Sequence, residues 1–237
     1  CMLASLRIGA VWVPLEIEHP AERHRALVVD AGCRVVVVDG AAGGSFTAAG
    51  VVPEVEVVTF ASLANRVSQG PAGGIRAATG NDGSAGPLRS DALYLMYTSG
   101  STGTPKGVVG SARALLNRLD WMQAAYPLRD TDIVCHKTSL AFVDSVWEVF
   151  GPLLAGATSV VASPDDVRDP DRLLRLLSAF SVTHFVAVPS YLDLWCAEIE
   201  SGSARPPALR LLVVSGEMLG SHLLGRLQAA LPDCVLL

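Results

Sequence analysis

Cysteine pairs are missing from this chain of 237 residues. Its five cysteines are far apart in sequence, with no C-x-x-C spacing and no histidine at ligand spacing; they are Cys1, Cys33, Cys135, Cys196 and Cys234. Neither a zinc site nor a disulfide framework is therefore indicated. The pattern predicts buried, reduced thiols in a cytoplasmic protein.

Clustered positive charge and long apolar runs are missing as well. The 18 lysines and arginines are scattered, and the net charge is −5, so the chain has no basic field that would attract nucleic acid. No uninterrupted apolar run approaches the roughly 20 residues of a membrane span, and the first residues do not follow the basic, apolar and cleavage-site pattern of a signal peptide. We therefore expect neither nucleic acid nor a membrane as a partner.

Short runs rich in valine alternate with longer helical patterns. The strand candidates are residues 34–38, 55–58, 92–97, 132–135, 158–162, 182–188 and 209–214. Helices are predicted at 169–180 and 220–231, and the Gly-, Ala- and Ser-rich stretches 40–53 and 68–90 are interpreted as surface loops. Nearly continuous apolar strands between helices predict an α/β fold with layered, parallel-rich sheets and helices on both faces.

The segment YTSGSTGTPKG, residues 97–107, joins a buried strand to a second apolar stretch. Its glycines let several backbone N–H groups surround an anion, its hydroxyls add donors, and Lys106 adds a positive charge. This combination suits a polyphosphate. The segment is not a Walker loop, because Pro105 replaces the second glycine of that pattern and Gly107 replaces its magnesium-binding hydroxyl.

The whole segment resembles the signature loop of the adenylate-forming superfamily, which contains acyl-CoA synthetases, luciferases and the adenylation domains of nonribosomal peptide synthetases. Three further segments resemble this family in the same order; they are LASLRIGAVWVPLEIEHPAER (3–23), FVDSVWEVFGPLLAGA (142–157) and LLVVSGEML (211–219). The resemblance covers essentially the whole chain. It implies that residues 1–237 form the large N-terminal core of an AMP-binding, or adenylation, domain.

The resemblance implies a ligase reaction in which a substrate carboxylate attacks the α-phosphorus of ATP, with Mg²⁺ as cofactor. Lys106 and Thr98 are the catalytic candidates. The residues expected to hold the phosphates are Thr98, Ser99, Gly100, Ser101, Thr102, Gly103 and Lys106. Gly216 and Glu217 are expected near the adenosine, although Glu217 fits a solvated turn residue equally well.

The substrate interpretation depends on one displaced aspartate. The pair Trp147-Glu148 is closer to amino-acid-activating domains, whose usual F-D-x-S motif supplies an aspartate for the substrate α-ammonium. Here the order is Phe142-Val143-Asp144-Ser145. A carboxylate moved by one residue matches an amine one carbon further along, as in β-alanine, because a desolvated ammonium needs a counter-charge within hydrogen-bond reach.

The pocket positions implied by the resemblance are Val143, Asp144, Trp147, Val186, Val213 and Ser215. Two simpler interpretations stay open: Asp144 as a helix-capping carboxylate and Trp147 as a core residue. His136 and His184 are interpreted as satisfied core or surface histidines. The alternatives to amino-acid activation are an acyl-CoA or aryl-acid ligase and a degenerate binding module.

Both ends of the sequence look cut. The chain opens at Cys1 within a helical pattern and stops at residues 235–237, which look like the start of a strand. We therefore expect a fragment without the small C-terminal lid domain, inactive alone. A carrier-protein partner that accepts the activated amino acid would lie outside it.

Overall fold

The computed structural model describes residues 1–40, 54–69, 91–98 and 105–237, which divide into two compact units, Cys1–Arg113 and Ala114–Leu237. Most of the predicted loops 40–53 and 68–90 lie outside the described residues. Among the residues that are described, no helix is both long and apolar enough to cross a bilayer. The prediction of buried thiols holds for Cys135 and Cys196, whereas Cys1 is exposed.

The first unit holds two pairs of strands. Its elements are α1 (Met2–Ile8), α2 (Ala21–Asp30), β1 (Val35–Val38), β2 (Glu56–Thr59), α3 (Phe60–Gln69), β3 (Ala92–Thr98) and β4 (Lys106–Ser111). Strands β1 and β2 are parallel, and Val36 and Val38 on one face of β1 pack with Val28 of α2. Strands β3 and β4 are antiparallel, a pairing that the sequence did not predict; a connection as short as theirs can join only antiparallel neighbours.

Helix α4 (Ala112–Ala125) leads into the second unit. The other elements of that unit are β5 (Ile133–His136), α5 (Asp144–Ala155), β6 (Thr158–Val161), α6 (Pro164–Arg168), α7 (Pro170–Ala179), β7 (His184–Ala187), α8 (Pro189–Glu200), β8 (Leu211–Val214), α9 (Ser221–Ala230) and β9 (Val235–Leu236). Helix α7 begins as predicted, because Asp169 accepts hydrogen bonds from the backbone N–H groups of Asp171 and Arg172. The strands form one parallel sheet in the order β6-β5-β7-β8-β9.

Both faces of this sheet are covered at its centre, since all four residues of β7 are buried. On one face, Phe185 stacks on Trp195 of α8 with ring centroids 4.7 Å apart, and Leu173 and Leu177 of α7 join the same core. The predicted α/β class with a parallel sheet is therefore confirmed. In such a sheet the segments after the carboxyl ends of the strands meet at one edge, which is where ligands usually bind.

Candidate active site

The predicted phosphate loop leaves one strand of a hairpin and enters the other. Thr98 and Lys106 are direct partners in the β3–β4 ladder, and the Thr98 hydroxyl donates to the Lys106 carbonyl at 3.4 Å. Both residues are exposed. The other predicted phosphate ligands lie outside the described residues; they are Ser99, Gly100, Ser101, Thr102 and Gly103. Of the predicted phosphate ligands, the structure therefore describes only the two ends, where the hydroxyl of Thr98 and the charge of Lys106 are accessible.

The end of β3 is tied to α2. The Tyr97 hydroxyl donates to Asp30 Oδ2 at 2.6 Å, and burial, reinforced by Asp30, raises the pKa of Tyr97. Gly107 lies opposite Tyr97, and a Cβ there would approach Leu95 Cδ1 to 2.9 Å. A side-chain hydrogen bond therefore anchors the strand that leads into the loop. Opposite it, any residue other than glycine at position 107 would force the Leu95 side chain to move.

The displaced aspartate is held by two side chains from other elements. Asp144, the first residue of α5, accepts a hydrogen bond from Ser215 Oγ to Oδ2 at 2.7 Å and one from Arg118 Nη2 to Oδ1 at 3.2 Å. The N-cap position of α5 is Val143, with no side-chain cap. The Asp144 side chain therefore does not cap this helix. The structure brings Asp144 and Ser215, two of the predicted pocket residues, into contact.

The remaining predicted pocket residues differ in exposure. Val186 and Val213 are buried and are direct partners in the β7–β8 ladder. Trp147 is buried, which fits a core residue as well as a pocket wall. Val143 is exposed.

The turn after β8 is fixed by Gly216 and Glu217. Gly216 has φ of 86°, in the left-handed region, and a Cβ there would lie 3.2 Å from Val188 Cγ1. The Glu217 carboxylate accepts hydrogen bonds from Ser190 N at 3.0 Å and Ser190 Oγ at 2.8 Å. Glu217 is thus exposed but hydrogen-bonded to the first turn of α8. Its negative charge also interacts favourably with the helix dipole at that end of the helix.

A buried carboxylate, Glu148 of α5, orders the segment that follows β5. It accepts hydrogen bonds from Lys137 N at 3.1 Å, Thr138 N at 2.9 Å and Thr138 Oγ1 at 2.7 Å. Burial raises the pKa of Glu148, while the hydrogen bonds from Thr138 act in the opposite direction. Sequence reasoning did not place Glu148 in the site. In the sequence Glu148 served only as half of the Trp147-Glu148 pair, without a role of its own.

His136 and His184, the two histidines considered in the sequence, both have partners, as predicted. The ring of His136 lies 3.1 Å from the Thr138 carbonyl, and that of His184 lies 2.7 Å from Thr183 Oγ1. No acid-base role follows from either contact. Within the described residues, no group of three or more potential metal ligands comes together.

A parallel sheet with polar side chains gathered after the carboxyl ends of its strands is typical of a ligand-binding α/β enzyme core. The chain belongs to the AMP-binding enzyme family, whose model matches residues 1–237.

The chain is 36% identical to vanchrobactin synthetase VabF of Vibrio anguillarum, a match that covers 92% of this chain and 7% of the relative. It is 33% identical to enterobactin synthase component F of Escherichia coli (strain K12), over 93% of this chain and 16% of the relative. The chain therefore spans only a small part of these relatives.

Among solved structures, the nonribosomal peptide synthetase FmoA3 bound to α-methyl-L-serine-AMP matches with a TM-score of 0.80 and 28% identity, covering 99% of this chain and 25% of that one. Another structure of the same protein holds AMPPNP. These comparisons confirm the resemblance and the fold class.

Proposed function

We propose that this chain carries the nucleotide loop and the amine-binding carboxylate of an enzyme that activates a β-amino acid, such as β-alanine. The reaction joins the substrate carboxylate to the α-phosphorus of ATP and releases pyrophosphate, and the aminoacyl adenylate then passes to the thiol of a carrier-protein partner. Asp144 carries this proposal, because its carboxylate occupies the displaced position and pairs with Ser215.

Family membership and the likeness to FmoA3, which binds AMPPNP and α-methyl-L-serine-AMP, support the nucleotide half of the proposal. The substrate carboxylate is already an anion, so the reaction needs no general base. Positioning and neutralisation of charge supply the rate. Lys106, Thr98 and the loop 99–103 hold the phosphates, and Gly216 and Glu217 lie near the adenosine. Mg²⁺ bound to ATP would neutralise phosphate charge beyond that met by Lys106.

Asp144 supports the amine half of the proposal. Its two oxygens accept one hydrogen bond each from the described side chains, and a carboxylate has about four lone-pair positions, so both oxygens keep capacity for an ammonium group. The side chain is 20% exposed, so a ligand can reach it. A charge-assisted hydrogen bond at such a half-buried position contributes about 1.5–3 kcal/mol.

One observation favours a second candidate, a ligase for an acid without an amine. Asp144 already has a counter-charge in Arg118, so its carboxylate is paired without a substrate ammonium. Under this alternative the Arg118–Asp144 pair is a structural ion pair. The two candidates differ in what loss of the Asp144 carboxylate does.

ATP–pyrophosphate exchange by the natural protein that carries this sequence separates the candidates. We expect exchange with β-alanine to exceed exchange with L-alanine and with propionate. Asp144→Ala should lower exchange with β-alanine by roughly 10- to 100-fold. The exposed residue Asp233 offers a matched control, Asp233→Ala, which should leave exchange unchanged. Full exchange with propionate in Asp144→Ala would support the second candidate.

A further inference from the structure

The positively charged side chain of Arg118, which belongs to none of the sequence motifs, lies beside the proposed amine-binding carboxylate. Arg118 belongs to α4 and precedes Asp144 by 26 residues, and its Nη2 donates to Asp144 Oδ1 at 3.2 Å. The Ser215 hydroxyl, from the turn after β8, donates to the other oxygen at 2.7 Å. Two separate segments of the second unit therefore converge on the carboxyl group that α5 carries.

The two donors fix the orientation of the carboxylate. With one partner on each oxygen, rotation about the Asp144 side-chain bonds breaks at least one hydrogen bond. An ammonium group can then be accepted only where the remaining lone pairs point. A carboxylate with one partner, or none, could follow an amine that lies one carbon nearer to or further from the reacting carboxyl group.

A contribution to folding stability does not explain why Arg118 lies beside Asp144. Its side chain is 41% exposed, and ion pairs at that exposure contribute little to folding. Its Nε atom is nonetheless buried without a hydrogen-bond partner among the described residues. Because a buried donor without a partner costs free energy, the position of Arg118 carries a cost that a surface ion pair does not offset.

We propose that Arg118 is a positioning residue that holds Asp144 for a β-amine and so sets the discrimination between β- and α-amino acids. The inference rests on the proposed function, since it takes Asp144 as the amine-binding group. Arg118 contacts the carboxylate and not the reacting atoms. Its loss should therefore weaken substrate selection and leave the use of ATP unchanged.

The test measures ATP–pyrophosphate exchange in the natural protein that carries this sequence. We compare kcat/KM for β-alanine and for L-alanine, and KM for ATP, in the parent, Arg118→Met and Arg118→Lys. Arg118→Met should lower the β-alanine to L-alanine ratio roughly tenfold or more, through a higher KM for β-alanine, with KM for ATP unchanged. Arg118→Lys keeps the charge and should restore part of the ratio.

Arg175 supplies the matched control, because it is an exposed arginine paired with an aspartate elsewhere in the unit. Arg175→Met should leave unchanged both the β-alanine to L-alanine ratio and the kcat/KM for each amino acid. If Arg118→Met lowers kcat/KM equally for both amino acids, or leaves their ratio unchanged, the positioning role is wrong. If Arg118→Met does not fold, Ser215→Ala removes the other donor and should lower the ratio in the same direction, and an unchanged ratio there refutes the same claim.

The two proposals fail in different ways. If Asp144→Ala keeps full exchange with β-alanine, the proposed function is wrong, whatever Arg118 does. If Asp144→Ala loses exchange but Arg118→Met keeps the ratio, only the positioning role is wrong. The double variant Arg118→Met/Asp144→Ala should be no worse than Asp144→Ala, since Arg118 acts through Asp144.

Discussion

At the scale of single residues, His184 couples stability to pH. It is buried in β7, and burial, together with the smaller effect of Arg210, lowers its pKa to about 4, although Asp132 acts in the opposite direction. In the unfolded chain a histidine takes up its proton near pH 6.5, whereas in the folded protein it stays neutral down to about pH 4. The unfolded state therefore binds more protons between these values, and stability falls as the pH decreases through this window.

We expect the free energy of unfolding to drop by roughly 1–2 kcal/mol between about pH 7 and about pH 5 because of His184. Urea unfolding of the protein and of His184→Gln at both pH values isolates this contribution, since the acidic residues titrate in both. The variant cannot take up a proton at this position, so its stability should change less. An identical pH dependence in the two proteins would contradict the assignment.

The sequence predicted only those residues of the candidate site that belong to a recognisable motif. Asp144 and Ser215 were both found from the resemblance, and the structure brings them into contact. Arg118 was not found, because it lies outside every motif and an arginine on a helix usually faces solvent. Glu148 was missed for a related reason, since only the folded chain shows that its carboxylate receives backbone N–H groups.

At the scale of elements, valine runs located the strands but not their directions. The predicted strands all appear within a few residues of their expected bounds, because short β-branched runs between turn residues have few other stable conformations. The antiparallel pairing of β3 and β4 was not predicted. Strand direction depends on the connection, and the sequence pattern was interpreted for the whole chain as alternating strands and helices.

The β3–β4 hairpin, which carries the ends of the proposed phosphate loop, depends on a second glycine. Gly110 lies opposite Tyr94, and a Cβ at Gly110 would fall 1.9 Å from Tyr94 Cζ. The ring of Tyr94 also packs on Trp12, with centroids 5.6 Å apart. Gly110→Ala must therefore displace an aromatic pair, and we expect it to cost about 1–3 kcal/mol.

Gly225 provides the contrasting substitution. It lies within α9, and a Cβ there meets nothing within 4 Å, so Gly225→Ala should stabilise the helix by about 0.5–1 kcal/mol. Thermal unfolding of both variants against the parent measures the difference. If Gly110→Ala is as stable as the parent, the ring does not need the space above this glycine.

At the scale of the whole molecule, the second unit combines one parallel sheet with the candidate amine site. The segment after β5 supplies the hydrogen-bond partners of Glu148. The segment after β8 supplies Ser215 and the turn that contains Gly216. All of them follow carboxyl ends of strands in the same sheet, where the fold brings loops together whatever their sequence. The core beneath this edge should therefore determine how firmly the site is held.

Leu174 of α7 tests that dependence. Its side chain is 0% exposed in the core of the second unit, and Leu174→Ala should destabilise this unit by about 3 kcal/mol because it leaves a cavity. Leu154, 68% exposed on α5, gives the matched control Leu154→Ala, which should cost at most about 0.5 kcal/mol. Hydrogen exchange followed by mass spectrometry should show roughly 100-fold faster exchange of the most protected amides in β5, β7 and β8 for Leu174→Ala only. Unchanged protection in these three strands would show that the sheet does not rely on this core.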